Sequence, residues 1–129
     1  MTKMRKILVV DDEKDVQSLF LQRFRKEIKA GEYDFKFAFS GEEALAILKD
    51  ELAHEAVLIL SDINMPGMSG LQLLDKIKTK YLKPPPIVMM VTAYGDEKNY
   101  QSARELGADD FLTKPVDFKI LKTKLKETQ

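Results

Sequence analysis

Cysteine is absent from the 129 residues. That excludes disulfides, thiol chemistry and cysteine-ligated metals, and it fits a reducing compartment. No charge of one sign prevails: 21 Lys and Arg balance 21 Asp and Glu, so no global positive field holds nucleic acid or an anionic membrane. Long apolar runs are missing too. The longest, Ala56–Leu60 and Ile87–Val91, fall far short of the roughly 20 residues that a membrane-spanning helix needs. Lys3, Arg5 and Lys6 precede Ile7–Val10, but that apolar stretch runs straight into Asp11 and Asp12, which argues against a signal peptide and for a cytoplasmic protein. With 44% hydrophobic and 33% charged residues, the chain is not of a disordered or collagen-like class. Its length lets it bury about two thirds of its unfolded surface without staples. One domain over residues 1–129 is expected.

Apolar bursts alternate with helical patterns. Ile7–Val10 is short and unbroken, as in a parallel strand covered on both faces. Val16, Leu19, Phe20, Phe24 and Ile28 follow at helical spacing, with Gly31 as C-terminal cap. Tyr33, Phe35, Phe37 and Phe39 alternate with Asp34, Lys36 and Ala38, a period of two that predicts a strand at a sheet edge and an aromatic core stripe. Ser40 with Glu43 forms a capping box for a helix burying Ala44, Leu45, Leu48 and Leu52. Ala56–Leu60 is the third strand. A loop over 63–69 leads to a second capping box, Ser69 with Gln72, and a helix burying Leu71, Leu74, Ile77 and Tyr81. Pro84–Pro86 stop that helix. Ile87–Val91 is the fourth strand. Asp96 caps a helix that runs to Leu106 and ends at Gly107, Asp110–Thr113 is the fifth strand, and Phe118, Leu121 and Leu125 mark a final helix. Five strand–helix repeats predict a doubly wound α/β domain with a parallel sheet.

In such sheets ligands sit beyond the carboxyl ends of the strands. Asp11 and Asp12 follow the first strand, Asp62 the third, Thr92 the fourth and Lys114 the fifth. Three clustered carboxylates repel one another unless a cation relieves them. Mg²⁺, or Mn²⁺, suits an all-oxygen donor set completed by water and phosphate. Without cysteine, and with the single histidine, His54, in a loop before the third strand, the chain argues against zinc. A carboxylate can attack phosphorus to form an aspartyl phosphate. Asp62 is the candidate nucleophile, since it ends the central strand before a loop whose Gly67 and Gly70 permit unusual turns. Lys114 and Thr92 would serve the phosphoryl oxygens.

These residues resemble the receiver domain of bacterial two-component response regulators, of the chemotaxis-regulator kind. The matching stretches are ILVVDDE at 7–13, LILSDINMPGMSG at 58–70, VTAYG at 91–95 and GADDFLTKPVD at 107–117, in family order and spacing. The resemblance implies a flavodoxin-like sheet in strand order 2-1-3-4-5 with five helices. It makes Asp62 the phosphoacceptor, Asp11 and Asp12 the acidic pair for Mg²⁺, and Asn64 the donor of a backbone carbonyl to the metal. Thr92 becomes the switch hydroxyl, Lys114 the phosphoryl ion pair ahead of a usually cis Pro115, Phe111 the aromatic switch, and Ala93 the small residue that leaves phosphate access. Tyr94 would tune the phosphoryl lifetime by shielding.

The implied function is a phosphorylation-operated switch rather than a conventional enzyme, with self-phosphorylation from small donors and autodephosphorylation only. The donor would be a histidine kinase or histidine phosphotransfer protein. The response would reshape the face made by the fourth helix, fifth strand and fifth helix, for an unknown target or an output domain absent from these residues. A monomer before phosphorylation is expected, because the last helix lacks the arginine-rich ending of dimerising regulators. Two other classes compete. A haloacid-dehalogenase-type phosphatase also forms an aspartyl phosphate, but its two Asp residues are spaced by two after the first strand, not adjacent as here. A flavodoxin-like flavin or nucleotide module needs a Ser/Thr/Gly-rich phosphate loop where this chain has DDEKD.

Overall fold

The computed structural model describes residues 4–50, 57–80 and 86–128. The strands are β1 (Arg5–Val10), β2 (Tyr33–Ala38), β3 (Val57–Asp62), β4 (Ile87–Thr92) and β5 (Asp110–Thr113). All pairings are parallel, in the order β2-β1-β3-β4-β5. β2 therefore lies at an edge, as its alternation predicts, and the order reverses between β1 and β3. The helices are α1 (Asp15–Arg23), α2 (Arg25–Lys29), α3 (Gly41–Asp50), α4 (Gly70–Lys80), α5 (Glu97–Glu105) and α6 (Phe118–Glu127).

Among the described residues there are six helices where five were expected, because the first bends at Phe24. Its φ of −103° and ψ of 18° leave the helical region. Hydrogen bonds from Phe24 N–H to the Phe20 carbonyl and from Ile28 N–H to the Phe24 carbonyl, both 2.9 Å, still carry the chain around the bend. Phe24 is wholly buried there. Leu19, expected in the buried stripe, is exposed; Val16, Phe20 and Phe24 repeat every four residues, and Leu19 sits about a quarter turn off that line.

Alternation along the strands builds two cores. Leu8, Val10, Ile59, Val88 and Met90 face α3, α4 and α5, where they meet Ala44, Leu48, Leu73, Leu74, Ile77 and Ala103. Ile7, Val9, Leu58, Leu60, Met89 and Val91 face α1, α2 and α6. On this second face Tyr33, Phe35 and Phe37 interlock with Phe20, Phe24 and Phe118, ring centroids 4.8–6.3 Å apart. The aromatic stripe is thus a core wall, except that Phe39 lies past the strand end with the Lys14 ammonium 5.8 Å from its ring centroid.

Local signals act where the sequence places them. Ser69 and Gln72 form a reciprocal capping box: Ser69 N–H donates to Gln72 Oε1 at 2.9 Å, and Gln72 N–H donates to Ser69 Oγ at 3.2 Å. Glu43 N–H donates to Ser40 Oγ at 3.1 Å, and the Asp96 carboxylate caps α5 through Asn99 N–H at 3.3 Å. The expectations for Leu52, His54, Ala56, Tyr81, Pro84 and Pro85 fall outside the described residues. No helix among the described residues is long and apolar enough to cross a membrane.

Candidate functional site at the carboxyl rim

Parallel strands deliver their carboxyl ends to one rim, and every candidate site residue except Phe111, which lies within β5, leaves a strand there. Asp62 is the last residue of β3 and is 3% exposed. Thr92 ends β4 and is also buried. The Lys114 N–H donates to the Thr92 carbonyl at 2.9 Å, which extends the β4–β5 ladder by one bond and aims Lys114 over the rim. Its ammonium pairs with Asp62 Oδ2 at 2.6 Å. Carboxylate oxygens of Asp11, Asp12 and Asp62 all lie within 4.8 Å of one another. The Asp11 N–H donates to the Ala38 carbonyl of β2 at 3.1 Å, continuing the β1–β2 ladder past the strand end.

The electrostatics follow from crowding. Burial pushes the Asp11 carboxyl up from the usual range; Asp62 and Asp12 push the same way, against the Glu13 N–H and the Lys114 charge. Burial alone lowers the Lys114 ammonium, but the Asp62 hydrogen bond and the charges of Asp62, Asp11 and Glu13 outweigh it, so its pKa stands raised. One ammonium thus faces three carboxylates, leaving a surplus of negative charge. An oxygen-only donor set with that surplus fits a hard divalent cation.

The loop after Asp62 folds back on it. Asn64 N–H donates to Asp62 Oδ1 at 3.3 Å, Gly70 N–H to the Ile63 carbonyl at 2.7 Å, and Ile63 N–H to the Val91 carbonyl at 3.3 Å. Gly67 takes a φ of +73°, as a glycine-permitted turn requires. Gly70 does something else: its φ is ordinary, but a Cβ there would lie against the Asp62 carbonyl and 2.6 Å from the Ile63 Cα. Glycine at 70 lets the first turn of α4 approach the backbone of Asp62. Adjacency to a strand end in a folded-back loop is the only signal that could have distinguished this from a turn requirement.

Phe111 is half-buried in β5, 4.4 Å from the Tyr100 ring of α5. It shares with Thr92, Pro115 and Ile120 a cavity of about 240 Å³ that reaches from the rim towards α6. The Lys114–Pro115 peptide is cis, as the resemblance implies. Ala93 is exposed beside Thr92. Tyr94 is 89% exposed, so its ring stands in solvent and shields nothing in this conformation. Sequence reasoning missed Ser61, whose buried hydroxyl donates to the Asp62 carbonyl at 3.0 Å.

The model of the response regulator receiver domain matches residues 7–126, and the chain belongs to that family. Solved structures agree. The receiver domain of NtrX from Brucella abortus is 32% identical, with 94% of this chain and 95% of that one covered at a TM-score of 0.77. The chemotaxis response regulator CheY4 of Vibrio cholerae is 27% identical, with 98% and 100% covered and a TM-score of 0.81. A response regulator receiver domain protein from Clostridium thermocellum is 30% identical, with 96% and 93% covered and a TM-score of 0.75. Members of this family are phosphorylation-dependent signalling switches rather than conventional enzymes. They bind Mg²⁺ at an acidic pocket and work with histidine kinases or phosphotransfer proteins and with output domains.

Proposed function

We propose that this protein is a cytoplasmic phosphorylation switch in which Asp62 accepts a phosphoryl group from the phosphohistidine of a kinase or phosphotransfer protein. The observation that carries this reading is the 2.6 Å Lys114–Asp62 pair set within a carboxylate trio less than 5 Å across. A carboxylate oxygen of Asp62 forms the new O–P bond as the donor N–P bond breaks, and the electron pair stays on the departing imidazole nitrogen. Lys114, already at Asp62, exchanges a carboxylate partner for a phosphoryl oxygen. Asp11, Asp12, Asp62 and the Asn64 backbone carbonyl would hold Mg²⁺ or Mn²⁺, which supplies charge neutralisation on the phosphoryl oxygens. Thr92 offers its hydroxyl to the phosphoryl group. Moving toward it, Thr92 vacates space beside the 240 Å³ cavity into which Phe111 can turn, and the α5–β5–α6 face changes shape.

Intact-mass analysis after incubation with acetyl phosphate tests the chemistry. One phosphoryl group is expected on wild type with Mg²⁺, and none without Mg²⁺ or on Asp62→Asn. If wild type gains none and beryllofluoride also fails to bind, the reading is wrong. Thr92→Ala should still take the phosphoryl group while losing the change at α5–β5–α6, followed by Phe111 ring NMR shifts; an undiminished change would remove Thr92 from the switch.

A further inference from the structure

The face assigned above to the response is built from two unequal helices. α6 is held at the end of the sheet opposite the acidic rim. At the amino end of β1, opposite the acidic rim, Arg5 places its half-buried guanidinium across the carboxyl end of α6. Nη1 donates to the Leu125 carbonyl at 2.7 Å and Nη2 to the Thr128 carbonyl at 3.1 Å. A helix leaves its last carbonyls without intrahelical partners and carries partial negative charge at that end. A planar cation that bridges two of those carbonyls answers both needs at once, joining at Leu125 the Thr128 hydroxyl, which donates to the same carbonyl at 3.0 Å. Further along α6, Lys122 pairs with Glu27 of α2 at 3.0 Å and lies 5.2 Å from the Phe24 ring centroid. Leu121 and Leu125 are 1% exposed, and Phe118 meets Phe20 at 5.0 Å. Lys124 reaches Asp110 of β5 at 2.9 Å.

α5 is tied at its amino end, where Asp96 accepts from Asn99 N–H at 3.3 Å, and Tyr100 lies 4.4 Å from the Phe111 ring, but it has no ion pair or arginine clamp among the described residues. Its single buried residue is Ala103, and the cavity opens beside it, between Tyr100 on α5, Phe111 on β5 and Ile120 on α6. Few buried apolar contacts mark an element that opens at low free energy.

We infer that α6 is the fixed half of the output face, that Arg5 is the positioning residue that fixes it, and that the response to phosphorylation is carried by α5 and β5 moving against it. The last clause rests on the reading proposed above; the Arg5 clamp does not. A partner touching α6 through Lys119 and Ile120 then meets the same surface in both states, and the signal is read on the α5 side.

Amide hydrogen exchange on the full chain tests this. In Arg5→Met, exchange at Lys124–Thr128 should rise about tenfold, the loss expected for a charged double hydrogen bond, while acetyl phosphate still delivers one phosphoryl group by intact mass. Arg5→Lys, a cation without the fork, should lie between. It also decides the matter should Arg5→Met melt too low to measure. In wild type, beryllofluoride should change exchange over Glu97–Glu105 and leave Lys124–Thr128 within about twofold, since clamped amides open only with the clamp. Wild-type protection at Lys124–Thr128 in both variants overturns the clamp. A beryllofluoride response there equal to that of α5 overturns the division of the face. Should neither phosphoryl uptake nor any beryllofluoride response occur, the phosphorylation reading and the moving half of this inference fall together, and the Arg5 variants still report on the clamp.

Discussion

The two faces of the sheet are packed with different materials. Towards α1, α2 and α6 lies a wall of interlocking rings, with cations over two of them: Arg23 5.6 Å from Phe118 and Lys122 5.2 Å from Phe24. Towards α3, α4 and α5 the buried core is wholly aliphatic, Leu, Ile and Val interspersed with Ala38, Ala44, Met65, Met90 and Ala103. Rings have few rotamers and edge-to-face geometry that tolerates little displacement, whereas methionine adapts to irregular space. The loop after Asp62 borders the adaptable face, and the cavity beside Phe111 lies at the β5 edge, between α5 of that face and α6. A switch needs a part that yields and a frame against which yielding is felt, and here the two are separated by the thickness of one sheet.

The sharpest way to break that comparison is to empty one site on each face. Phe24→Ala should cost about 3–5 kcal/mol, whereas Met90→Ala on the other face should fall near about 2, because its aliphatic neighbours can close on the space. Urea denaturation of both decides, and similar small losses would mean that the aromatic wall is no stiffer than its counterpart. Next in size, Gly70→Ala should cost about 1–3 kcal/mol, because a Cβ must displace the backbone of Asp62 and Ile63. Phosphoryl uptake should slow with it, and a normal uptake rate would show that the close approach of α4 is not what shapes the backbone at Asp62. Ser69→Ala removes a reciprocal capping box from α4 and should lose about 1 kcal/mol by thermal melting, a local loss that leaves the ring wall untouched.

The smallest effect has the opposite sign. Asp11 has a folded-state pKa above its unfolded value, so the folded metal-free protein binds the extra proton and loses stability as pH rises from about 4 through that raised pKa. Asp11→Asn should therefore stabilise the metal-free protein at pH 7 by less than about 1 kcal/mol, flatten its stability between pH 4 and 7, and weaken Mg²⁺ binding. Melts in EDTA across that range, with a Mg²⁺ titration alongside, check all three. A lower melting temperature at pH 7 would contradict the crowding argument.

Much of this arrangement is legible in the residues. The strand order is what the family resemblance implies, whereas the rim and the meeting of Asp11, Asp12, Asp62 and Lys114 follow from where each residue leaves its strand, because a parallel sheet brings all carboxyl ends together. Residues that depend on tertiary packing were less legible. Leu19 fits the loose helical spacing as Phe20 does, and only the choice of the Val16–Phe20–Phe24 line as the buried one, made by the packing, separates them. Gly70 looks like a turn glycine until the folded loop shows what lies beside it. Arg5 reads as one of several basic residues before the first strand, and its partners are some 120 residues away along the chain.

β5 has one more consequence. It is four residues long, stands at the sheet edge between α5 and α6, and is followed at once by Lys114 and then Pro115, which has no N–H to offer. A target cannot dock here by adding a strand of useful length, since too few free donors and acceptors line the border. Recognition at this face has to be written in side chains, so a target's specificity should track substitutions on α5 and α6 and be nearly blind to the backbone between them.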